Sequence, residues 1–202
     1  MGLKNVSAIV LAGGSGQRFH AKKQFVEISG KPMWEYPYEK TCALLGRERV
    51  VAVGVDIPGG STRTQSVING MRALPEDTER VIIVEAARPL VTKEQLGCLI
   101  EDEHPSVTFV RPLVNTVSFR DGRYLNRNEL CEMLTPQAFD YRMLLEALES
   151  GRFQDMTDET RVMFEYHGIM PKFVETTGNL MKVTYPEDIE IVRYLMEKES
   201  SV

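Results

Sequence analysis

The sequence predicts an α/β layered fold built on a largely parallel sheet. Three observations carry this expectation: short apolar runs recur along the chain, stretches with helical spacing lie between them, and a glycine-rich turn follows the first run directly. The first run, Val6-Ser7-Ala8-Ile9-Val10-Leu11, is nearly all apolar, as a strand covered on both faces must be. Runs at 50–55 and at Val81-Ile82-Ile83-Val84 repeat that composition. A helical segment follows Gly30-Lys31-Pro32. Further on, 62–74 gathers Val67, Met71 and Leu74 on one helical face, and 93–101 gathers Leu96, Leu99 and Ile100 on another.

The middle of the chain breaks this rhythm. Residues 114–119, Arg120-Asp121-Gly122-Arg123, then Tyr124 and Leu125 read as a hairpin turned by Asp-Gly. Its apolar residues are too few for a core of its own, so it must pack on something else, a partner subunit being one candidate. Helices are expected at 140–149 and 157–167, and strands at 172–176 and 180–183. Pro186 is placed at the start of the last helix, where proline is tolerated. Internal repeats, low-complexity tracts and linkers are absent, which predicts one domain over 1–202 with a β-hairpin arm at about 113–127.

Composition narrows the function classes. An apolar fraction of 43% and a charged fraction of 26% suit a soluble globular protein. The net charge of -5 argues against a nucleic-acid partner, although a few local cations and backbone amides suffice for a small anionic substrate. Cys42, Cys98 and Cys131 form no CxxC pair, and an odd, scattered set suits a reducing cytoplasm. The histidines His20, His104 and His167 lack metal-ligand spacing, so no zinc site is expected. No apolar run has transmembrane length and no signal-peptide core is present, so the expectation is a cytoplasmic protein with no membrane partner.

The chemistry begins at Leu11-Ala12-Gly13-Gly14-Ser15-Gly16-Gln17-Arg18. A strand ending in Gly13-Gly14-Ser15-Gly16 leaves backbone N–H groups open to phosphate oxygens, and Arg18 adds a permanently charged fork. The spacing matches neither GxxxxGK[ST] nor GxGxxG with a ribose-binding acid, which weakens the P-loop and dinucleotide readings. A ligand-free strand-to-helix turn has the same local composition, so the loop alone decides nothing. Lys22-Lys23-Gln24-Phe25 and then Gly30-Lys31-Pro32 follow it. Loop, lysine and Gly-Lys-Pro in this order resemble the signature of sugar-phosphate and polyol-phosphate nucleotidyltransferases. Such transfer needs cations and amides around the α-phosphate and in-line positioning of the attacking oxygen, work that suits Arg18 and Lys23.

Four further stretches make the resemblance narrower. Gly59-Gly60-Ser61-Thr62-Arg63-Thr64-Gln65-Ser66-Val67-Ile68-Asn69-Gly70 looks like the GG-x-x-R-x-x-SV-x-NG segment of cytidylyltransferases that make CDP-activated polyols. Glu85-Ala86-Ala87-Arg88-Pro89 resembles their DAARP, and Arg127 with Leu134-Thr135-Pro136-Gln137 resembles their R…TPQ-x-F. Thr157-Asp158-Glu159 is similar to TD[DE], and 179–188 to N-I-K-[IV]-T-x-PED. The likeness runs from about Ser7 to Leu195. It points to the family of 2-C-methyl-D-erythritol 4-phosphate and ribitol-5-phosphate cytidylyltransferases.

That resemblance implies a three-layer, Rossmann-like nucleotidyltransferase fold with a mostly parallel mixed sheet and a projecting β-arm. It implies that CTP is joined to a small phosphorylated polyol, with methylerythritol phosphate the leading named acceptor and ribitol phosphate or a phosphonate as alternatives. Carried over residue by residue, Leu11, Ala12, Gly13, Gly14, Ser15 and Gly16 would hold the triphosphate, Gly60 and Ser66 would read cytosine, and Arg63 would support that turn. Arg88, Thr116, Arg127, Thr135 and Lys182 would bind the acceptor, with Arg18, Lys23 and Lys182 serving catalysis. Glu85 stands where the family has an aspartate serving Mg²⁺; a salt bridge to Arg88 is the competing role. The arm is where family members dimerise, which implies a homodimer.

Departures from the pattern cluster near the acceptor and the metal. Lys22 replaces a proline, Val84 a histidine, and Asn115 and Ser118 replace the acid and base of D-T-[IV]-K. The chain also runs from Val55 to Gly59 almost at once, which trims an edge of the sheet. Two other readings stay open: a related transferase using another nucleotide, and a catalytically silent homologue that binds nucleotide or only dimerises.

Overall fold

The computed structural model describes residues 5–14, 19, 21–176 and 178–199. Its frame is a six-stranded sheet of β1 (Val6–Leu11), β4 (Val50–Val53), β5 (Arg80–Glu85), β6 (Ser106–Pro112), β7 (Cys131–Asp140) and β8 (Lys172–Glu175), ordered β4-β1-β5-β7-β6-β8. β1 runs parallel to both β4 and β5, and β6 runs parallel to β8; β7 alone runs against its two neighbours. The sheet is therefore mixed and mostly parallel, as expected. A separate two-stranded ribbon joins β2 (Glu27–Ile28) to β3 (Lys31–Pro32).

Alternation along β1 sends its side chains into two cores. Ala8 and Val10 join Leu96 and Leu99 of α3 (Lys93–Glu101) on one face, with Tyr38 and Cys42 of α1 (Glu35–Leu45) packed alongside. Ile9 faces the opposite side, with Val67 and Met71 of α2 (Arg63–Arg72), Leu144 of α4 (Tyr141–Glu149) and Val162 of α5 (Glu159–His167). Helices thus cover both faces of the sheet, completing three layers. The last helix, α6 (Asp188–Glu199), closes a third apolar cluster through Ile189 and Val192 with Phe19, Met33, Leu90 and Val183.

Several boundaries follow from capping. Thr92 and Gln95 form a reciprocal capping box that fixes the start of α3, and Thr62 caps α2 by accepting from Gln65 N at 3.1 Å. Asp158 caps α5, so that helix starts two residues later than the expected 157. The last helix begins at Asp188 rather than Pro186, because Asp188 Oδ2 accepts from the N–H groups of Thr184 and Tyr185 and turns the chain first. The expected strand at 50–55 ends at Val53, where Gly54 adopts φ +97.

The expected strand at 180–183 does not form. Its Leu-Met-Lys-Val alternation suggests a ladder, yet the segment pairs with no strand. It is tied down instead by single contacts: Val183 N to Ala87 O at 2.8 Å, Lys23 Nζ to Val183 O at 2.6 Å, and the Arg88 guanidinium to Leu180 O. The hairpin arm is present in reduced form, with one bridge between Ser118 and Tyr124 and a turn closed by Gly122 N on Phe119 O at 3.0 Å. No helix among the described residues is long and apolar enough to cross a membrane.

Candidate active site

A cavity of about 630 Å³ opens at the carboxyl ends of β1 and β5, where α/β sheets place ligands. Leu11 and Glu85 are register partners at those ends, so the glycine loop and the acidic residue leave the sheet side by side. Leu11, Ala12, Gly13 and Gly14 form one wall, and Gly60, Arg63 and Ser66 at the start of α2 form another. Lys23, Lys182 and Glu85 line it as well. Ten of the residues singled out from sequence therefore meet around one space. Ser15, Gly16 and Arg18 lie outside the described residues.

Glycine is required at position 54, where the connection after β4 packs against Gly13. A Cβ on Gly54 would lie 2.7 Å from both the N and Cα of Gly13, and Gly54 also has φ +97. One on Gly13 would lie 3.5 Å from Gly59 Cα. The base of the glycine loop is thus seated directly on the short connection after β4, with Ala12 N donating to Val53 O at 2.8 Å.

The second wall is shaped by one hydroxyl. Ser66 Oγ donates to Thr62 O at 3.0 Å and accepts from Gly60 N at 3.0 Å. Its proton is committed to a carbonyl, which leaves an acceptor lone pair as its remaining hydrogen-bonding capacity. An amino group is the complement of such an acceptor.

Charge in the cavity centres on Glu85. Its carboxylate pairs with Lys182 Nζ and lies 3.8 Å from Arg63 Nη2. Burial by itself would raise the Glu85 pKa, but the opposing charges of Lys182 and Arg63 outweigh it and hold the group below its ordinary range. The alternative of a salt bridge to Arg88 is not what forms; Lys182 and Arg63 take that role. Arg63 in turn grips the fully buried Glu159 through both guanidinium Nη atoms. Burial pushes the Glu159 carboxyl up, with the Arg63 charge opposing it.

The structure separates the remaining sequence-derived residues from this space. Arg88 is 8% exposed, with its Nε donating to Thr135 Oγ1 at 2.7 Å and its Nη1 to Leu180 O. The β7 register steps from Gln137 to Leu134, over Thr135 and Pro136, at the point where proline has no N–H to give. Thr116 is exposed on the arm. Arg127 is exposed, donates to Val114 O, and borders a second cavity of about 420 Å³ with Phe173 and Glu175. Of the residues assigned to the acceptor, only Lys182 lines the main cavity.

Four polar lining residues went unassigned in the sequence: Gln24, Ser61, Thr62 and Thr184. Gln24 follows the motif lysine and donates to Gly14 O at 3.3 Å, so its place beside Lys23 was the available signal. Glu159 was missed as well, although it belongs to the quoted Thr157-Asp158-Glu159 stretch.

Residues 35–198 match the model of the family described as IspD: 2-C-methyl-D-erythritol 4-phosphate cytidylyltransferase. The chain belongs to the IspD family. Among curated relatives, a 2-C-methyl-D-erythritol 4-phosphate cytidylyltransferase from Dechloromonas aromatica is 32% identical over 222 residues, covering 94% of this chain and 96% of its own. Its counterpart from Clostridium botulinum is 28% identical over 224 residues, covering 95% and 97%. The fold of 4-diphosphocytidyl-2C-methyl-D-erythritol synthase from Anaerococcus prevotii superposes with a TM-score of 0.78 at 23% identity, covering 95% of this chain and 96% of that one. The IspD nucleotidyltransferase architecture expected from the motifs is therefore the fold adopted.

Among the described residues, no group of three or more His, Cys, Asp or Glu side chains could cage a metal. Mg²⁺ does not need one, because one or two carboxylates suffice when phosphate and water oxygens complete the shell. Glu85 supplies one such carboxylate in the cavity wall, with Oε2 on Lys182 and Oε1 in looser contact with Arg63. The donor set fits a metal held mainly by a ligand's phosphates.

Proposed function

We propose that this IspD-family chain is a CTP-dependent cytidylyltransferase that converts CTP and 2-C-methyl-D-erythritol 4-phosphate into the CDP-polyol and pyrophosphate. One observation carries the reading. Glycine-loop backbone, the Ser66 acceptor and the Lys23, Lys182 and Arg63 cations surround one cavity large enough for a nucleotide.

In the reaction, an oxygen of the acceptor phosphate attacks the α-phosphorus of CTP. A new P–O bond forms as the bond to the bridging oxygen breaks, and that electron pair leaves with pyrophosphate. The chain's part is to position and to balance charge. Gly13 and Gly14 offer backbone N–H groups to the triphosphate, and Lys23 and Lys182 bring ammonium groups to the developing charge; Arg18 would add a guanidinium to the same work. Gly60 and Ser66 present an acceptor to the cytosine amino group. Glu85 would hold Mg²⁺, which neutralises phosphate charge and favours departure of pyrophosphate.

Arg88 and Thr135, bonded to each other and tied through Arg88 to Leu180 O, would act on the acceptor by holding the 180–183 segment that carries Lys182. Thr116 and Arg127 would act on the active site of a second copy, in a homodimer formed through the arm. Val114 and Tyr124, 82% and 79% exposed, are the arm's apolar contribution to that contact. The whole of 1–202 would serve as one cytoplasmic nucleotidyltransferase domain.

The test is pyrophosphate release with methylerythritol phosphate and each of CTP, UTP, GTP and ATP in turn. Turnover with CTP at least tenfold above the others is expected. A preference for GTP would remove the cytidine assignment.

A further inference from the structure

Four sequence segments that lie far apart in the chain meet behind the cavity wall. Gln137 on β7 donates from Nε2 to Thr108 Oγ1 at 3.0 Å and to Asp158 Oδ2 at 2.8 Å. Asp158 caps α5 through its other oxygen, accepting from Thr160 N at 2.9 Å and Arg161 N at 3.3 Å. Glu159, the next residue, is 0% exposed and takes the Arg63 guanidinium on both of its oxygens. Arg63 opens α2, whose cap Thr62 carries the Ser66 hydrogen bond that orders Gly60. A continuous polar chain thus runs from the centre of the sheet to the turn bordering the cavity.

Glu159 is not needed to start α5, because Asp158 already satisfies the first N–H groups. Both of its oxygens are spent on one side chain 96 positions away. A buried carboxylate costs stability unless it is fully paired, so this one is retained in an expensive place for what it does to Arg63. Arg63 has a second, looser acidic neighbour in Glu85 at 3.8 Å. The closer two-point pair decides where the guanidinium rests.

We infer that Glu159 is a positioning residue that anchors Arg63 to the back wall, keeping the 60–63 turn in place around the nucleotide and keeping Arg63 from closing on Glu85. Glu159 does not itself line the cavity. With its charge removed, the nearest opposite charge to Arg63 is Glu85, and the turn that ends at Arg63 loses its anchor. The inference rests on the cytidylyltransferase reading and extends it to a residue outside the cavity.

A double-mutant cycle tests it. Glu159→Gln preserves shape and removes the charge, Arg63→Ala removes the group acted upon, and the double variant closes the cycle. CTP affinity is measured by calorimetry, KM and kcat by pyrophosphate release, and folding by thermal melting. Glu159→Gln is expected to raise the Kd and KM for CTP about tenfold, with kcat at saturating CTP changed less than about twofold. In the Arg63→Ala background the same change should move affinity less than about twofold. An equal loss in both backgrounds overturns the inference, as does unchanged CTP affinity in a folded Glu159→Gln protein.

If Glu159→Gln does not fold, Arg63→Lys carries the test, since an ammonium cannot make the two-point pair. The same rise in KM is expected, and an unchanged KM overturns the inference. Wild-type protein that neither binds CTP nor releases pyrophosphate overturns the functional reading and the inference together. An active wild type with an indifferent Glu159→Gln variant overturns the inference alone.

Discussion

Lys182 Nζ and Glu85 Oε2 form an ion pair within the cavity, joining the irregular 180–183 segment to the end of β5. The pair places a positive and a negative group together where a polyphosphate and its metal would separate them. Lys182 is 39% exposed on its side chain and Glu85 is 11% exposed, so the lysine is the freer partner to move.

Lys182→Ala should therefore impair turnover far more than folding. Loss of a cation aimed at developing phosphate charge is expected to lower kcat by about 10²–10³-fold. Glu85 is left with Arg63 at 3.8 Å as its counter-charge, so the urea midpoint should fall, but modestly. Steady-state kinetics beside urea unfolding separate the two effects; a variant that loses stability without losing kcat would contradict this role.

Glu85 also makes a prediction about pH. Its pKa in the folded protein is depressed, because Lys182 and Arg63 overcome the upward push of burial. A depressed carboxyl contributes stability that is present above its unfolded pKa and is lost as pH falls through the folded value. Glu85→Gln should be less stable than wild type at neutral pH, with the gap closing as pH drops below the ordinary carboxylate range. Urea midpoints from pH 7 to pH 3 check this, and a gap independent of pH would argue against it.

Gly54 offers a test of how the glycine loop is supported. Gly54→Ala would drive a Cβ to 2.7 Å from the Gly13 backbone at φ +97, and should cost about 1–3 kcal/mol of stability. Because the strain falls on Gly13, the KM for CTP should rise as well. A destabilised variant with normal KM would show that loop placement does not depend on this contact.

Ser66→Ala removes the atom that holds both Thr62 O and Gly60 N. The expected result is a rise of about tenfold in KM for CTP and a weaker preference for CTP over UTP, since the fixed acceptor is gone. Competition between the two nucleotides measures it directly. Unchanged discrimination would move base reading elsewhere in the cavity.

Much of this arrangement was legible in the residues. Apolar runs marked β1, β4 and β5 because strands buried on both faces admit little else, and 93–101 matched α3 at both ends because Thr92 and Gln95 cap it. β6 and β7 were not anticipated. β7 contains Glu132, Thr135, Pro136 and Gln137, so its polar motif hides a strand whose Gln137 is 1% exposed and hydrogen-bonded inside the sheet. The opposite error occurred at 180–183, where alternation suggested a strand but the backbone is held by Arg88 and Lys23.

The ring of cavity residues was legible as motifs, but their contacts were not. Arg88 looks equally suited to a phosphate or to an internal acceptor until Thr135, 47 positions away, is found at 2.7 Å. Glu159 reads as an ordinary first-turn acid of a helix, and only the fold brings Arg63 to it. Pairings of this kind arise from packing between distant segments, which no local pattern records.

Transfer of a cytidylyl group to a polyol phosphate in this cavity has a direct spectroscopic readout. ³¹P NMR of purified protein with CTP, Mg²⁺ and a panel of methylerythritol phosphate, ribitol phosphate and a phosphonate tests it most directly. Coupled diphosphate resonances of a CDP-polyol are expected, growing in step with pyrophosphate and fastest with methylerythritol phosphate. Intact CTP with every acceptor, from a folded protein, would contradict it.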